Sequence, residues 1–169
     1  VTPVASFDLA LPYVLAHEGK WSFDSADPGG ATNYGITLET AKRYGIQDAE
    51  ELMAITPEKV AQIYKDGYWI WGGVDDQRVA TKLFDMGVNM GVRSAVRLLQ
   101  DGLNTLGAFL EVDGKLGPKT LASTNAVTPE HMLNVLCYES AEHYKAIVAH
   151  RPESIRFLKG WLKRAEEKP

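Results

Sequence analysis

A single cysteine, Cys137, in a chain of 169 residues excludes an intramolecular disulfide and, with it, the small secreted folds that disulfides staple together. No apolar run is long enough to cross a membrane. The opening VTPVASFDLALPYVLAHEG lacks both a basic leading segment and an uninterrupted apolar stretch, so the expectation is synthesis in the cytoplasm without a signal peptide. A concentrated basic stripe is also missing. Residues 1–90 carry 7 basic and 13 acidic side chains and the remainder 11 and 9, for a net charge of −4. That balance excludes nucleic acid as the expected partner, while the mildly basic rear half suits an anionic surface such as a cell envelope. Repeats and low-complexity tracts are lacking too, and a 45% hydrophobic content is that of an ordinary globular chain.

Apolar residues recur at helical spacing along most of the sequence. Phe7, Leu11, Val14 and Leu15 mark a first helix with Ser6 as its N-cap, and Pro12 predicts an early kink or a later start. From Gly19 to Thr37 the composition turns to Gly, Asp, Asn, Ser and Pro, which predicts a long loop or a small β-hairpin. Thr37 caps a helix running toward Gly45. Thr56 with Pro57 opens another that ends near Gly67, and Val79, Leu83, Met86 and Met90 form the face of a third. Behind Gly91 come VRSAVRLLQDGLNTLG, a helix begun by Pro118, the longest helix begun by Thr128 and Pro129, and a last amphipathic helix after Pro152. The fold class expected is mainly α, a helical bundle with at most a small β element after the first helix. Cys137, at an apolar position of the longest helix, reads as packing; a nucleophilic role would need His131 or His143 beside it.

The residue that carries chemistry is Glu18. Four residues beyond Val14, it falls on the apolar stripe at the C-terminal end of the first helix, where desolvation and the negative end of the helix dipole both favour a protonated carboxyl, as a general acid requires. The competing reading is a helix-end Glu turned to solvent. The loop that follows bears Asp24, Asp27, Thr32 and Asn33. Glycosidases of the inverting kind place a second carboxylate roughly 6.5 to 9.5 Å from the acid to activate water. Asp27 is the candidate base, with the Thr32 hydroxyl or the Asn33 amide holding the water, although Asp24 and Asp27 are also ordinary turn formers. Oxygen ligands do not recur at alternate positions here, so a calcium loop fits poorly. Tyr68, Trp69 and Trp71 form the best aromatic cluster for the apolar face of a sugar, against the alternative of core packing. Trp21 and Trp161 read as packing, and the basic residues Lys159, Lys163 and Arg164 as a solvated helix face.

HEGKWSFDSADPGGATNYGIT resembles the signature of glycoside hydrolase family 108, the N-acetylmuramidases of phage endolysins and secretion-associated enzymes. It matches at Glu18, Gly19, Asp27, Gly29, Gly30, Thr32, Gly35, Ile36 and Thr37, and departs at Lys20, where the family commonly has glycine. YKDGYWIWGG and KLFDMGVNMGVRSAVRLLQ continue the likeness. The resemblance implies a lysozyme-like α+β fold with Glu18 as the acid, and Tyr68, Trp69, Asp85 and Asn89 near the sugar cleft. Phage-type lysozymes also carry an Asp in the loop after the acid and a Thr beyond it. Here Asn33 stands at that last position with Thr32 before it, leaving the water-holding role open between them.

EVDGKLGPKTLAS is similar to the D-G-x-x-G-P-x-T element of peptidoglycan-binding modules, matching at Asp113, Gly114, Gly117, Pro118 and Thr120; a well-capped loop into a helix is the competing account. The resemblance implies a catalytic region over 1–92 and a helical, predicted peptidoglycan-binding region over 93–169 packed on it. The expected activity is hydrolysis of the β-1,4 bond between N-acetylmuramic acid and N-acetylglucosamine, in a phage endolysin for host cell lysis that acts on the cell wall in the periplasm after release. It requires no metal or organic cofactor and no stable membrane insertion, peptidoglycan is the partner, and a monomer is the default. The alternatives are a lytic transglycosylase and a non-catalytic envelope-binding or secretion accessory protein.

Overall fold

The first helix, α1 (Phe7–His17), begins without the cap its sequence suggested. In the computed structural model, which describes residues 4–23 and 30–169, the Ser6 side chain makes no capping bond. The Gln77 amide replaces it, accepting from the Ser6 N–H at 2.7 Å and donating to the Ser6 carbonyl at 3.1 Å. Pro12 lies inside α1, which neither stops nor starts there. The expected β element is a three-stranded antiparallel sheet, β1 (Ser22–Phe23), β2 (Ala31–Asn33) and β3 (Ile36–Thr37), with Thr32 opposite Ser22 on one side and Thr37 on the other. The β2–β3 connection is the two-residue turn Tyr34–Gly35, with φ of 50° and 71°, the doubly left-handed geometry that suits the twist of a hairpin.

Eight further helices follow among the described residues, all but one of them foreseen in the sequence. Thr37 Oγ1 accepts from the Thr40 N–H and opens α2 (Leu38–Lys42). The acidic α3 (Ala49–Met53), capped by Asp48, escapes the sequence reading because its only buried side chain is Leu52. Thr56 caps α4 (Pro57–Tyr68), and after a short turn at Trp71–Gly73 come α5 (Gln77–Met90) and α6 (Val92–Thr105). Proline stands first in α7 (Pro118–Ala126) and α8 (Pro129–His150), where its missing N–H costs nothing, and α9 (Ile155–Glu166) closes the chain. No helix of the described residues is long and apolar enough to cross a membrane.

Helix α5 is the axis of the molecule: every residue from Val79 to Gly87 is buried, and α1, α4, α6 and α8 pack around it. One hydrophobic core runs from Phe7 and Val14 through Leu83 and Phe84 to Leu99, Met132 and Leu136. A helix buried on all sides has no water for its polar side chains, so Lys82 and Asp85 need partners. Both find them in α9. Lys82 Nζ donates to the carbonyls of Arg164, Ala165 and Glu167 at 3.0, 2.9 and 2.7 Å, satisfying the open C-terminal end of that helix. Burial pushes the Lys82 amine below its ordinary range. Asp85 takes the Arg164 side chain, described below.

The DGKLGPKT segment is held by one buried amide. Gln100 donates to Asp113 Oδ1 (2.9 Å), the Lys115 carbonyl (3.1 Å) and Thr120 Oγ1 (3.3 Å), and accepts from the Gly114 N–H (2.9 Å). Gly114 stands at φ 74° with Arg93 so close that a Cβ would collide. The motif's Asp, Gly and Thr are thus committed to folding the loop. Gln100→Leu strands those loop groups, and we expect it to lower stability by roughly 2–4 kcal/mol in thermal or urea unfolding, leaving turnover at low temperature largely intact.

Candidate functional site

Glu18 terminates α1: it is the C-cap residue, in extended conformation, with its N–H bonded to the Leu15 carbonyl at 3.2 Å. Its side chain is 17% exposed, so the carboxyl is mostly withdrawn from water, against the solvated alternative. Two groups define its position. Glu18 Oε1 accepts from Arg164 Nη2 at 2.9 Å. Oε2 lies in the angle of the Tyr34–Gly35 turn, only 2.5 Å from where a Cβ on Gly35 would stand, and the Tyr64 hydroxyl is 3.2 Å from the same point. Tyr64 Oη in turn donates to the Tyr34 carbonyl at 2.6 Å, fastening the turn to α4. Burial, and then the Glu18 charge, push the Tyr64 hydroxyl well above the usual phenol range, so it stays a donor.

Arg164 is the hub. Its Nη2 reaches Asp85 Oδ1 at 2.8 Å as well as Glu18, its Nε lies 3.2 Å from both Asp85 oxygens, and its Nη1 is 3.4 Å from Asn89 Oδ1. Asp85 is 3% exposed and Arg164 15%. Burial alone would push the guanidinium down; the hydrogen bonds and charges of Asp85 and then Glu18 outweigh it and hold it above its ordinary value. Asn89 completes the surround by donating to the Tyr144 hydroxyl. Behind Asp85, His17 Nε2 meets Glu167 Oε2 at 2.5 Å while Nδ1 faces the Tyr13 carbonyl at 3.0 Å, a second tie between the end of α1 and the end of the chain.

The structure therefore brings Glu18, Asp85 and Asn89 into one network through a residue the sequence reading assigned to solvent. Arg164 is no solvated base; its neighbours Lys159 and Lys163 share its helix but not its contacts. Asp24 and Asp27 lie outside the described residues. Asn33 is buried and its amide donates to the Leu52 and Met53 carbonyls at 3.0 and 3.2 Å, tying β2 to the end of α3. Thr32 lies on the other face of the strand.

The aromatic cluster divides. Trp71 is fully buried, its indole N–H bonded to the Tyr68 carbonyl, so it is no sugar platform. Trp69 packs edge-on against Phe7 and Phe84, at centroid distances of 5.6 and 5.4 Å, and Tyr68 leans on Tyr64 at 5.8 Å. Both stay partly exposed, but much of the Trp69 ring belongs to the core. Trp161 packs as expected, stacked on Tyr144, whereas Trp21 is exposed. Cys137 is half-buried between α8 and α9, and burial pushes its thiol up, away from nucleophilic use. Beyond this site, a groove of about 680 Å³ runs past Phe109, Asp113, Lys115 and Pro118. Phe109 is 94% exposed at φ 53°, held out by Asn104, which bonds both the N–H and the carbonyl of Leu110.

Gly35 is the position where geometry and activity separate most cleanly. In Gly35→Ala the new Cβ meets the far end of a flexible side chain, which yields cheaply, so the stability cost is mainly the left-handed backbone, about 1–2 kcal/mol. The side chain that yields is Glu18, and a displacement near 1 Å is worth on the order of 100-fold in rate. Thermal unfolding and turnover measured on the same preparation should show that inequality.

Comparisons with known proteins bear on the fold and the family. The family model described as glycosyl hydrolase 108 matches residues 11–91, and the one described as a predicted peptidoglycan domain matches residues 94–166. A solved structure of Brucella abortus SagA is similar over 94% of this chain and 88% of its own, at 30% identity and a TM-score of 0.73. A search of curated proteins finds no match.

Proposed function

Because this chain belongs to the glycosyl hydrolase 108 family and is a peptidoglycan hydrolase, we propose that it is an N-acetylmuramidase cutting the β-1,4 bond between N-acetylmuramic acid and N-acetylglucosamine, with Glu18 as its acid. The observation that carries the reading is a mostly buried carboxyl at the end of α1 with one oxygen held by a cation and the other left at the turn of the glycine-rich motif. The proton passes from Glu18 to the glycosidic oxygen. As the bond from that oxygen to the sugar's C1 breaks, its electron pair stays on the leaving oxygen, which departs as a hydroxyl. Water then bonds to C1 and gives its proton to Asp27, with Thr32 orienting it, and solvent exchange resets both carboxyls. Tyr68 and the exposed edge of Trp69 flank the sugar; Asp85 and Asn89 act through Arg164.

A base for water distinguishes this scheme from that of a lytic transglycosylase, which uses the muramic acid's own hydroxyl. Mass spectrometry of digested peptidoglycan tests it: reducing N-acetylmuramic ends are expected, and 1,6-anhydro ends would overturn it. The groove beside Phe109 is the surface we assign to additional contact with peptidoglycan, within a rear region, 93–169, that packs on the catalytic one over 1–92. The biological role proposed is that of a phage endolysin, made in the host cytoplasm and acting as a monomer on the wall from the periplasm. Co-expression with a membrane-permeabilising protein should lyse the host, and expression alone should not.

A further inference from the structure

The catalytic carboxyl sits in the region matched by one family model, while the cation on it comes from the region matched by the other. We propose that Arg164 is a positioning residue for the acid, so that α9 completes the active site and the rear region is part of the catalytic machinery besides any hold it has on the wall. This rests on the reading of Glu18 as the acid.

Three observations support it. First, the contact is aimed: Arg164 Nη2 meets Oε1 of Glu18 at 2.9 Å, leaving Oε2 at the Gly35 turn where a missing Cβ makes room. With Oε1 taken by the guanidinium, Oε2 is the oxygen left to carry the proton that is transferred. When that proton leaves for the glycosidic oxygen, the negative charge spreads to Oε1, where the cation already stands; nothing has to reorganise during the reaction. Second, the cation cannot swing away freely. Asp85 and Asn89 of α5 hold the other edges of the guanidinium, and the side chain is mostly buried. Third, the helix that carries it is latched, through Lys82 to the last carbonyls of α9 and through His17 to Glu167. Two separate devices from the front region thus grip the end of α9 next to the residue that reaches the acid.

The test uses the full chain. Arg164→Ala is expected to lower kcat on purified peptidoglycan by about 10- to 100-fold, the worth of one charge-assisted hydrogen bond in the transition state, with KM changed only a few-fold. Guanidinium ion added at millimolar concentration should restore part of the loss, which a purely structural defect would not allow. Because Arg164→Ala leaves two carboxylates facing one another, Asp85→Asn/Arg164→Met is made alongside it; it relieves that repulsion, still lacks the cation, and should be as slow while melting closer to wild type. In a Glu18→Gln background, Arg164→Ala should cost nothing further. Full turnover in the folded double variant overturns the proposal, as does a loss of kcat that guanidinium does not touch. Undiminished turnover in Glu18→Gln itself would sink the assignment of the acid instead, and so tells the two failures apart.

Discussion

Glu18→Gln is expected to abolish lysis of purified peptidoglycan, by 1,000-fold or more on the scale of about 4 kcal/mol of lost transition-state stabilisation, while binding of the polymer persists. The amide has nearly the same shape, and its oxygen can still accept from Arg164 Nη2, so the network around Asp85 has no reason to collapse. What it lacks is a proton acidic enough to follow the leaving oxygen. The contrast is sharpened by the fold: Glu18 ends α1 without contributing to the core, so a loss of activity cannot be charged to unfolding. Sedimentation of the variant with insoluble peptidoglycan, next to a turbidity assay, reads both quantities. Turnover close to wild type would place the acid elsewhere and would also remove the non-catalytic reading, since the fold would then be working through another group.

Asp27→Asn is expected to be the other severe loss, on the order of 100-fold or more if water is activated by a carboxylate on the far side of the sugar from Glu18. An amide there still hydrogen-bonds water but cannot take its proton. Asp27 matches the family's D-x-G-G-x-T string, and Thr32 of the same string lies on a strand registered to β1 and β3 on either side. Azide offers an internal check. A small anionic nucleophile needs no base, so it should recover product from Asp27→Asn as the glycosyl azide of inverted configuration. A mild effect of the substitution would mean that Asp27 only shapes the loop.

How far the sequence could be read depended on the range of the interaction that decides each feature. Caps and proline starts are local, and Thr37, Thr56 with Pro57, Pro118 and Pro129 opened helices where they stand. The glycine-rich string was equally legible, because a doubly left-handed turn needs glycine at one of its positions and Gly35 supplies it. Arg164 was not. In sequence it is one of several bases on an amphipathic helix, and nothing local separates it from Lys163; its partners are 79 and 146 residues away. The hint lay on the other side, in α5, where Lys82 and Asp85 are charged residues within the buried stretch from Val79 to Gly87 and so demand partners from elsewhere in the chain. The tie made by Asn33 was hidden for the same reason, its amide being claimed by the end of α3, a helix with too few apolar residues to announce itself. Trp69 and Trp71 show the same for rings: their chemistry suits a sugar or a core equally, and only burial separates them, complete for Trp71 and partial for Trp69 against Phe7 and Phe84.

The central claim is geometric, that the scissile oxygen comes to Oε2 of Glu18 while Oε1 remains on Arg164. A crystal structure of Glu18→Gln with a bound glycan tetrasaccharide tests it directly. The account predicts the oxygen between the N-acetylmuramic and N-acetylglucosamine rings within about 3 Å of the amide that replaces the Glu18 carboxyl, on the side facing the Gly35 turn. A glycan whose linkage oxygen lies out of reach of that amide would contradict it.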